Sequence, residues 1–113
     1  MRRTIDSGDF GSTLTAMAME FVFGQIWSHD ILDAKQRSLV TIGILIALRQ
    51  TEELKNHIRI GLTNGLTVRE IEEATIQAAA YAGFPAAHAA TKAILEVLQH
   101  PSDLKPEPPP TCR

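Results

Sequence analysis

DAKQRSLVTIGILIALRQTEELKNHIRIG, residues 33–61, decides the fold class of this chain. Asp33 followed three residues later by Gln36 is a capping-box pattern ahead of an apolar run, which starts a helix at residue 34 and carries it to about residue 49. From Leu39 onward that helix is apolar nearly all round, the pattern of a central helix buried on several sides. The run from Leu39 to Leu48 contains Thr41 and Gly43 and is half the length of about 20 residues that a membrane span needs. Thr51 can cap the next helix, with Glu52 and Glu53 in its first turn, where carboxylates favour the positive end of the helix dipole.

The flanking sequence repeats the same grammar. Upstream, Leu14, Met17, Phe21 and Gly24 recur at helical spacing and predict a helix over about residues 12–27. Downstream, Asn64-Gly65 closes the third helix, and Thr67 with Glu70 forms a second capping box. The fourth helix then runs to about Ala82 with Ile71, Thr75, Ala78, Ala79 and Ala82 on one side. Gly83-Phe84-Pro85 breaks the chain and puts proline at the first position of a fifth helix, whose stripe is Ala86, Ala89, Ala90, Ala93, Ile94, Val97 and Leu98. His100-Pro101 ends it. The expectation is an all-α, compact bundle of about five helices over residues 12–100, with a flexible N-terminal arm over 1–11 and a disordered proline-rich tail over 101–113.

Composition narrows the chemistry. Five of the six prolines and the one cysteine, Cys112, fall in the last thirteen of 113 residues. A disulfide framework, a cysteine-rich zinc site, a CxxC redox pair and a core thiol nucleophile are therefore excluded from the helical body. A net charge of -2 gives no basic footprint for nucleic acid and no attraction to an anionic membrane surface. The N-terminal MRRTIDSGDF has no apolar stretch behind its arginines, so the expected location is the cytoplasm.

His57 is the histidine best placed to do chemistry. On a helix it lies about 60° from Leu54 and about 40° from Gly61, at the edge of the stripe formed by Leu54, Ile58 and Leu62. Glu53, four residues earlier, projects on the same side, and its charge is expected to raise the pKa of the imidazole. Gly61, costly inside a helix, suggests that space is wanted beside the ring. The same spacing also fits an exposed i,i+4 pair worth about 0.2–0.5 kcal/mol. Arg37 opens the apolar helix and must snorkel, pair or face a cavity. Trp27 and Tyr81 are candidates either to line a pocket or to anchor the core. His29, His57, His88 and His100 share no metal-ligand spacing, so no metal site is expected.

Five blocks, FGQIWSHDIL (23–32), RSLVTIGILIAL (37–48), EELKNH (52–57), NGLTVREIEE (64–73) and YAGFPAAHAA (81–90), resemble the carboxymuconolactone decarboxylase family, whose all-helical fold is shared with the alkyl hydroperoxidase D proteins. The hydroperoxidase branch looks like E-x11-C-x2-C-x3-H. Counted back from His57, its cysteines fall on Gln50 and Glu53 and its glutamate on Ser38, so the thiol mechanism cannot run here. The decarboxylase branch has R-S-L, E-L-x-x-H and Y-A-G-x-P, which are retained as Arg37-Ser38-Leu39, Glu53-Leu54 with His57, and Tyr81 to Pro85.

The resemblance implies a cofactor-independent decarboxylase of a carboxylated lactone, 4-carboxymuconolactone in the β-ketoadipate route of aromatic-acid breakdown. It implies His57 and Glu53 as the catalytic pair, Arg37, Trp27 and Tyr81 as substrate-binding residues, and a homo-oligomer, trimer or hexamer, with sites near subunit interfaces. The block Phe23-Gly-Gln25-Ile-Trp27-Ser-His29 departs from the family's Trp-Gly-Glu-x-Trp-Ser-Arg. That change leaves two alternatives open: a relative acting on a different small acid or lactone, and a helical oligomer that has lost the reaction.

Overall fold

A computed structural model describes residues 9–100. Five helices follow in chain order: α1 (Ser12–Ala18), which continues unbroken into a π-helical stretch (Met19–Ile26), α2 (Ala34–Ala47), α3 (Thr51–Thr63), α4 (Val68–Ala82) and α5 (Phe84–Leu98). Among the described residues there is no strand. None of their helices is long and apolar enough to cross a membrane. The expected tail at 101–113 and most of the expected N-terminal arm lie outside the described residues; residues 9–11 form a turn ahead of α1.

Both capping boxes form. The Asp33 carboxylate accepts the Gln36 N–H at 2.8 Å while the Asp33 N–H donates to Gln36 Oε1 at 2.9 Å. The Thr67 hydroxyl accepts the Glu70 N–H at 3.0 Å and the Thr67 N–H donates to Glu70 Oε1 at 2.9 Å. Glu70 also pairs with Lys35 at 3.2 Å, which ties the start of α4 to the start of α2. At the end of α3, Gly65 takes φ 104°, the Leu66 N–H donates to the Gly61 carbonyl and the Gly65 N–H to the Leu62 carbonyl, a Schellman closure. The same pattern ends α2, with Arg49 in the left-handed position at φ 58°.

Two expected helix starts shift by one residue. Thr51 is the first residue of α3 rather than its cap, because Gln50 takes the cap position and makes no side-chain bond there. Pro85 is second in α5, behind Phe84; its missing N–H is harmless there too, since none of the first N–H groups has a partner inside the helix.

Helices α2, α3, α5 and α4 form a ring in which each packs on the next. Its core is Ile42 and Ile46 from α2, Leu54 and Ile58 from α3, Ile71 from α4, and Ala90, Ala93, Ile94 and Val97 from α5, with Leu66 at the α3–α4 turn. Gly61 lets α2 approach α3. A Cβ there would stand 2.9 Å from Leu66 Cδ1 and 3.4 Å from Ile42 Cδ1, so the space it provides is for core side chains and not for the imidazole as expected.

The expected burial of α2 on several sides is corrected. Only Ser38, Ile42 and Ile46 are buried, while Val40, Ile44 and Leu48 stand exposed. The expected apolar face of the first helix is likewise uncovered: no residue of α1 or of the π-helical stretch is buried. The periodicity was real, but these faces meet nothing within the same chain.

Candidate active site

His57 sits midway along α3 with its side chain buried. Trp27, at the end of the π-helical stretch, stacks on it with ring centroids 6.3 Å apart and 25° between the planes. The backbone N–H of Trp27 donates to the Val22 carbonyl at 2.8 Å, an i to i−5 bond that continues the π spacing to residue 27. Trp27 also packs with Ile60, Val22, Phe23 and Ala34 in a cluster separate from the main core. This second cluster is why α3 buries a wider arc than the Leu54-Ile58-Leu62 stripe: His57 and Ile60 face the indole, not the bundle axis.

Arg37 lies in the first turns of α2. Its Nη2 donates to the His29 carbonyl at 3.4 Å, and its Nε is buried without a hydrogen-bond partner. His57 Nδ1 is buried and unpartnered as well. The short segment 27–29 therefore touches both groups, through the Trp27 ring on one side and the His29 carbonyl on the other. Next to Arg37, Ser38 is fully buried and accepts a hydrogen bond from Asn64 Nδ2 at 3.1 Å, linking α2 to the end of α3.

Glu53 is exposed, and its Oε2 stands 4.0 Å from His57 Nε2, beyond hydrogen-bond reach but close enough to act through charge. The expected upward shift of the imidazole is corrected. Burial pushes the His57 pKa below its usual 6.5, and the Glu53 carboxylate only partly opposes that. Desolvation dominates because Trp27 covers the ring while Glu53 remains in solvent, where its field is weakened.

Of the residues singled out in the sequence, the fold joins Trp27 and Glu53 to His57 and ties Arg37 to the His29 carbonyl, two residues after Trp27. Tyr81 is elsewhere: it is 86% exposed on α4 and lines a groove of about 750 Å³ between α2 and α4 with Leu39, Val40, Gly43 and Ala47. Two contributors were not foreseen, the His29 carbonyl and Ile60. The carbonyl leaves no mark in a sequence. Ile60 follows His57 by three residues, so the pair marks a second apolar face of α3. Among the described residues no three histidine, cysteine, aspartate or glutamate side chains cluster as a metal site would require.

Residues 13–96 match the carboxymuconolactone decarboxylase family. A 4-carboxymuconolactone decarboxylase of Acinetobacter baylyi is 37% identical over 91 residues, which cover 80% of this chain and 68% of the relative. A nitrosuccinic acid decarboxylase of Metarhizium robertsii is 44% identical over 66 residues, 58% of this chain and 46% of the relative. An uncharacterised 15.0 kDa protein of Paracoccus denitrificans is 37% identical over 76 residues, 66% of this chain and 57% of the relative. The matched stretches thus span about two thirds of the first relative and about half of the other two.

Proposed function

The chain belongs to the carboxymuconolactone decarboxylase family, and from that premise we propose that it is a cofactor-independent carboxy-lyase acting on a small carboxylated lactone, 4-carboxymuconolactone or a near analogue. The observation that carries this reading is the pair of buried, unpartnered polar atoms, Arg37 Nε and His57 Nδ1, flanking segment 27–29. A buried donor or acceptor left unpaired costs about 1–3 kcal/mol, a cost that an anionic ligand bound between them would remove.

The chemistry asks for a cation, an oxyanion donor and a proton. Arg37 holds the substrate carboxylate by charge-assisted hydrogen bonds. As the bond from the ring carbon to that carboxylate breaks, CO2 leaves and the electron pair moves through the ring double bond onto the lactone carbonyl oxygen. His57, kept neutral near pH 7 by burial, donates an N–H to that developing oxyanion. A proton then adds at the carbon next to the carbonyl, giving the enol lactone, and the solvent-exposed Glu53 beside Nε2 connects the imidazole to bulk water as the proton source. The indole of Trp27 covers the imidazole against water, and with water excluded the delocalised anion is favoured over the localised carboxylate.

A second reading, a different small acid as substrate, is favoured by the 44% identity to the nitrosuccinic acid decarboxylase and by the neutral Gln25 and His29 in the altered block. The test is CO2 release by the purified full-length protein from 4-carboxymuconolactone and, separately, from nitrosuccinic acid. Turnover of the lactone that His57→Gln and Arg37→Gln abolish supports the first reading, and turnover of the nitro acid alone supports the second. Failure of both substrates sinks the decarboxylase reading in either form.

A further inference from the structure

We propose that residues 101–108 fold back onto the groove between α4 and α5 of the same chain, with Leu104 seated in it and Lys105 against Glu72, an interaction that does not depend on the decarboxylase reading. The groove holds about 320 Å³, with Val68 and Leu98 at one end and Thr75, Ile76 and Thr91 at the other. Val68, Ile76 and Leu95 in its walls are 51, 56 and 47% exposed. The hydroxyls of Thr75 and Thr91 are committed to the Ile71 and Ala87 carbonyls at 3.0 and 2.9 Å. What the groove offers an occupant is therefore apolar surface and one charge, the Glu72 carboxylate, which has no ion pair among the described residues. A groove this small takes a few side chains of an extended segment, not a helix about 10–12 Å across.

The chain leaves α5 beside this groove. Gln99 caps the helix, the His100 N–H donates to the Val97 carbonyl at 3.2 Å, and Leu98 is itself part of the groove wall. Residues 101–113 follow, outside the described residues. His100 precedes a proline, which steers its backbone out of the helical region and off the α5 axis. His100-Pro101-Ser102-Asp103 has proline at the second position of a β-turn, the step that reverses a chain. The segment after that reversal is Leu104-Lys105-Pro106-Glu107-Pro108. Its apolar residues at 104, 106 and 108 alternate with charges at 105 and 107, so an extended backbone gives it one face for the groove and one for solvent.

Length and charge agree. The wall from Leu98 back to Thr91 runs about 10 Å along α5, and Leu104 to Pro108 spans about 12 Å when extended. Helices α4 and α5 meet at Gly83 and line the groove with Val68 opposite Leu98, so Glu72 stands about 6 Å in from that end. With Leu104 at the mouth, Lys105 comes about 3 Å further in and has Glu72 within reach of its side chain. Beyond Leu98, Lys105 is the one lysine and Leu104 the one branched aliphatic residue, and they are adjacent. Because Leu98 is both the groove wall and the root of the tail, the segment is held at an effective concentration on the order of millimolar, which favours it over the tail of another copy.

The test uses the full chain with Cys112→Ser and two engineered thiols. Glu72→Cys with Lys105→Cys puts one thiol on the groove and one on the tail. Glu96→Cys with Lys105→Cys is the control, because Glu96 lies at a similar height on α5 but pairs with Lys55 of α3 and not with α4. Under mild oxidation the groove pair closes within one chain about tenfold faster than the control, as read by intact mass, and adding Leu104→Asp removes the advantage. Isotope-labelled and unlabelled groove-pair chains, mixed before oxidation, stay unlinked to each other. Equal closure rates in the two pairs, or linkage mainly between labelled and unlabelled chains, overturn the proposal. A second arm needs no engineered thiol: in Leu104→Asp alone, the methyl NMR signals of Ile76 and Leu95 move while those of Ile42 and Ile58 in the core stay in place. Ile76 and Leu95 signals unchanged by Leu104→Asp also overturn it.

Discussion

The indole of Trp27 lies 6.3 Å from the imidazole of His57 and 25° from parallel to it, covering a ring whose burial, outweighing the charge of Glu53, holds its pKa below the usual 6.5. Removing the cover therefore moves the pKa upward. In Trp27→Ala water reaches the ring and the His57 inflection, followed by its NMR ring-proton shifts, climbs back toward 6.5. Glu53→Gln moves it the other way, further down, because the carboxylate is the one group holding it up. A Trp27→Ala inflection at or below that of the parent protein would contradict the assignment of burial as the dominant cause.

Stability follows from the same shift. Because the folded-state pKa is depressed below 6.5, acidification protonates His57 in the unfolded chain before it does so in the folded protein. The imidazole thus costs nothing above pH 6.5, draws stability down as the pH falls through the window between 6.5 and the folded pKa, and adds no further slope below that pKa. Thermal melts across this range should show the decline in the parent protein and a shallower one in His57→Gln. Equal slopes in the two proteins would place the effect elsewhere.

Arg37 makes a different demand. Its Nη2 is already used by the His29 carbonyl, whereas its buried Nε has no partner and is free to meet a substrate carboxylate. Lysine at that position carries the charge but cannot hold both a carbonyl and a carboxylate in one plane. Arg37→Lys is expected to lower kcat/KM by about 10- to 100-fold, the worth of one charge-assisted hydrogen bond. The loss should fall mainly on KM, with the melting temperature nearly unchanged. An unaltered KM would remove Arg37 from substrate binding.

Gly61 supplies a packing test. A methyl group there enters space held by Leu66 Cδ1 and Ile42 Cδ1, the tips of two buried core side chains that would have to shift. Overpacking of this kind costs about 1–3 kcal/mol and exceeds the gain of at most about 1 kcal/mol from replacing a mid-helix glycine. Gly61→Ala should be less stable by about 1 kcal/mol, a drop of roughly 4–8 °C in Tm for a domain of this size. A rise in Tm would show that α2 and α3 can separate slightly at no cost.

Sequence patterns were most informative where the cause was local. Asp33 with Gln36 and Thr67 with Glu70 announced two helix starts, and both boxes closed as spaced, because capping needs only residues within one turn. The α5 stripe was equally legible, since Ala86, Ala90, Ala93, Ile94 and Val97 are all buried against the other helices. Faces were misread where the partner was not named by the pattern. Val40, Ile44, Leu14 and Met17 carry core-like spacing and yet stand in solvent within the single chain. At the site, His57 and Glu53 were recognisable as an i,i+4 pair, but the direction of the pKa shift depended on Trp27, thirty residues away, coming down on the ring. No spacing rule reports such a long-range contact.

Glu70 answers to two partners, and acid should separate them. Its carboxylate accepts the Thr67 N–H and pairs with Lys35, and the Thr67 N–H followed by the Lys35 ammonium holds its pKa below the ordinary 4.5. A depressed carboxylate contributes stability that is fully present above its unfolded pKa and is lost as the pH falls through the folded value. Glu70→Gln keeps an oxygen that can accept from Thr67 but gives up the ion pair, so its stability should lose this acid limb below pH 4.5 while the helix start survives. Thr67→Ala removes the other half of the box and should cost about 1 kcal/mol at every pH. Chemical denaturation at pH 7 and at pH 3 distinguishes them: the gap between parent and Glu70→Gln narrows on acidification, whereas the gap to Thr67→Ala does not. A Glu70→Gln gap that stays constant between the two pH values would mean that the carboxylate charge contributes nothing to tying α4 to α2.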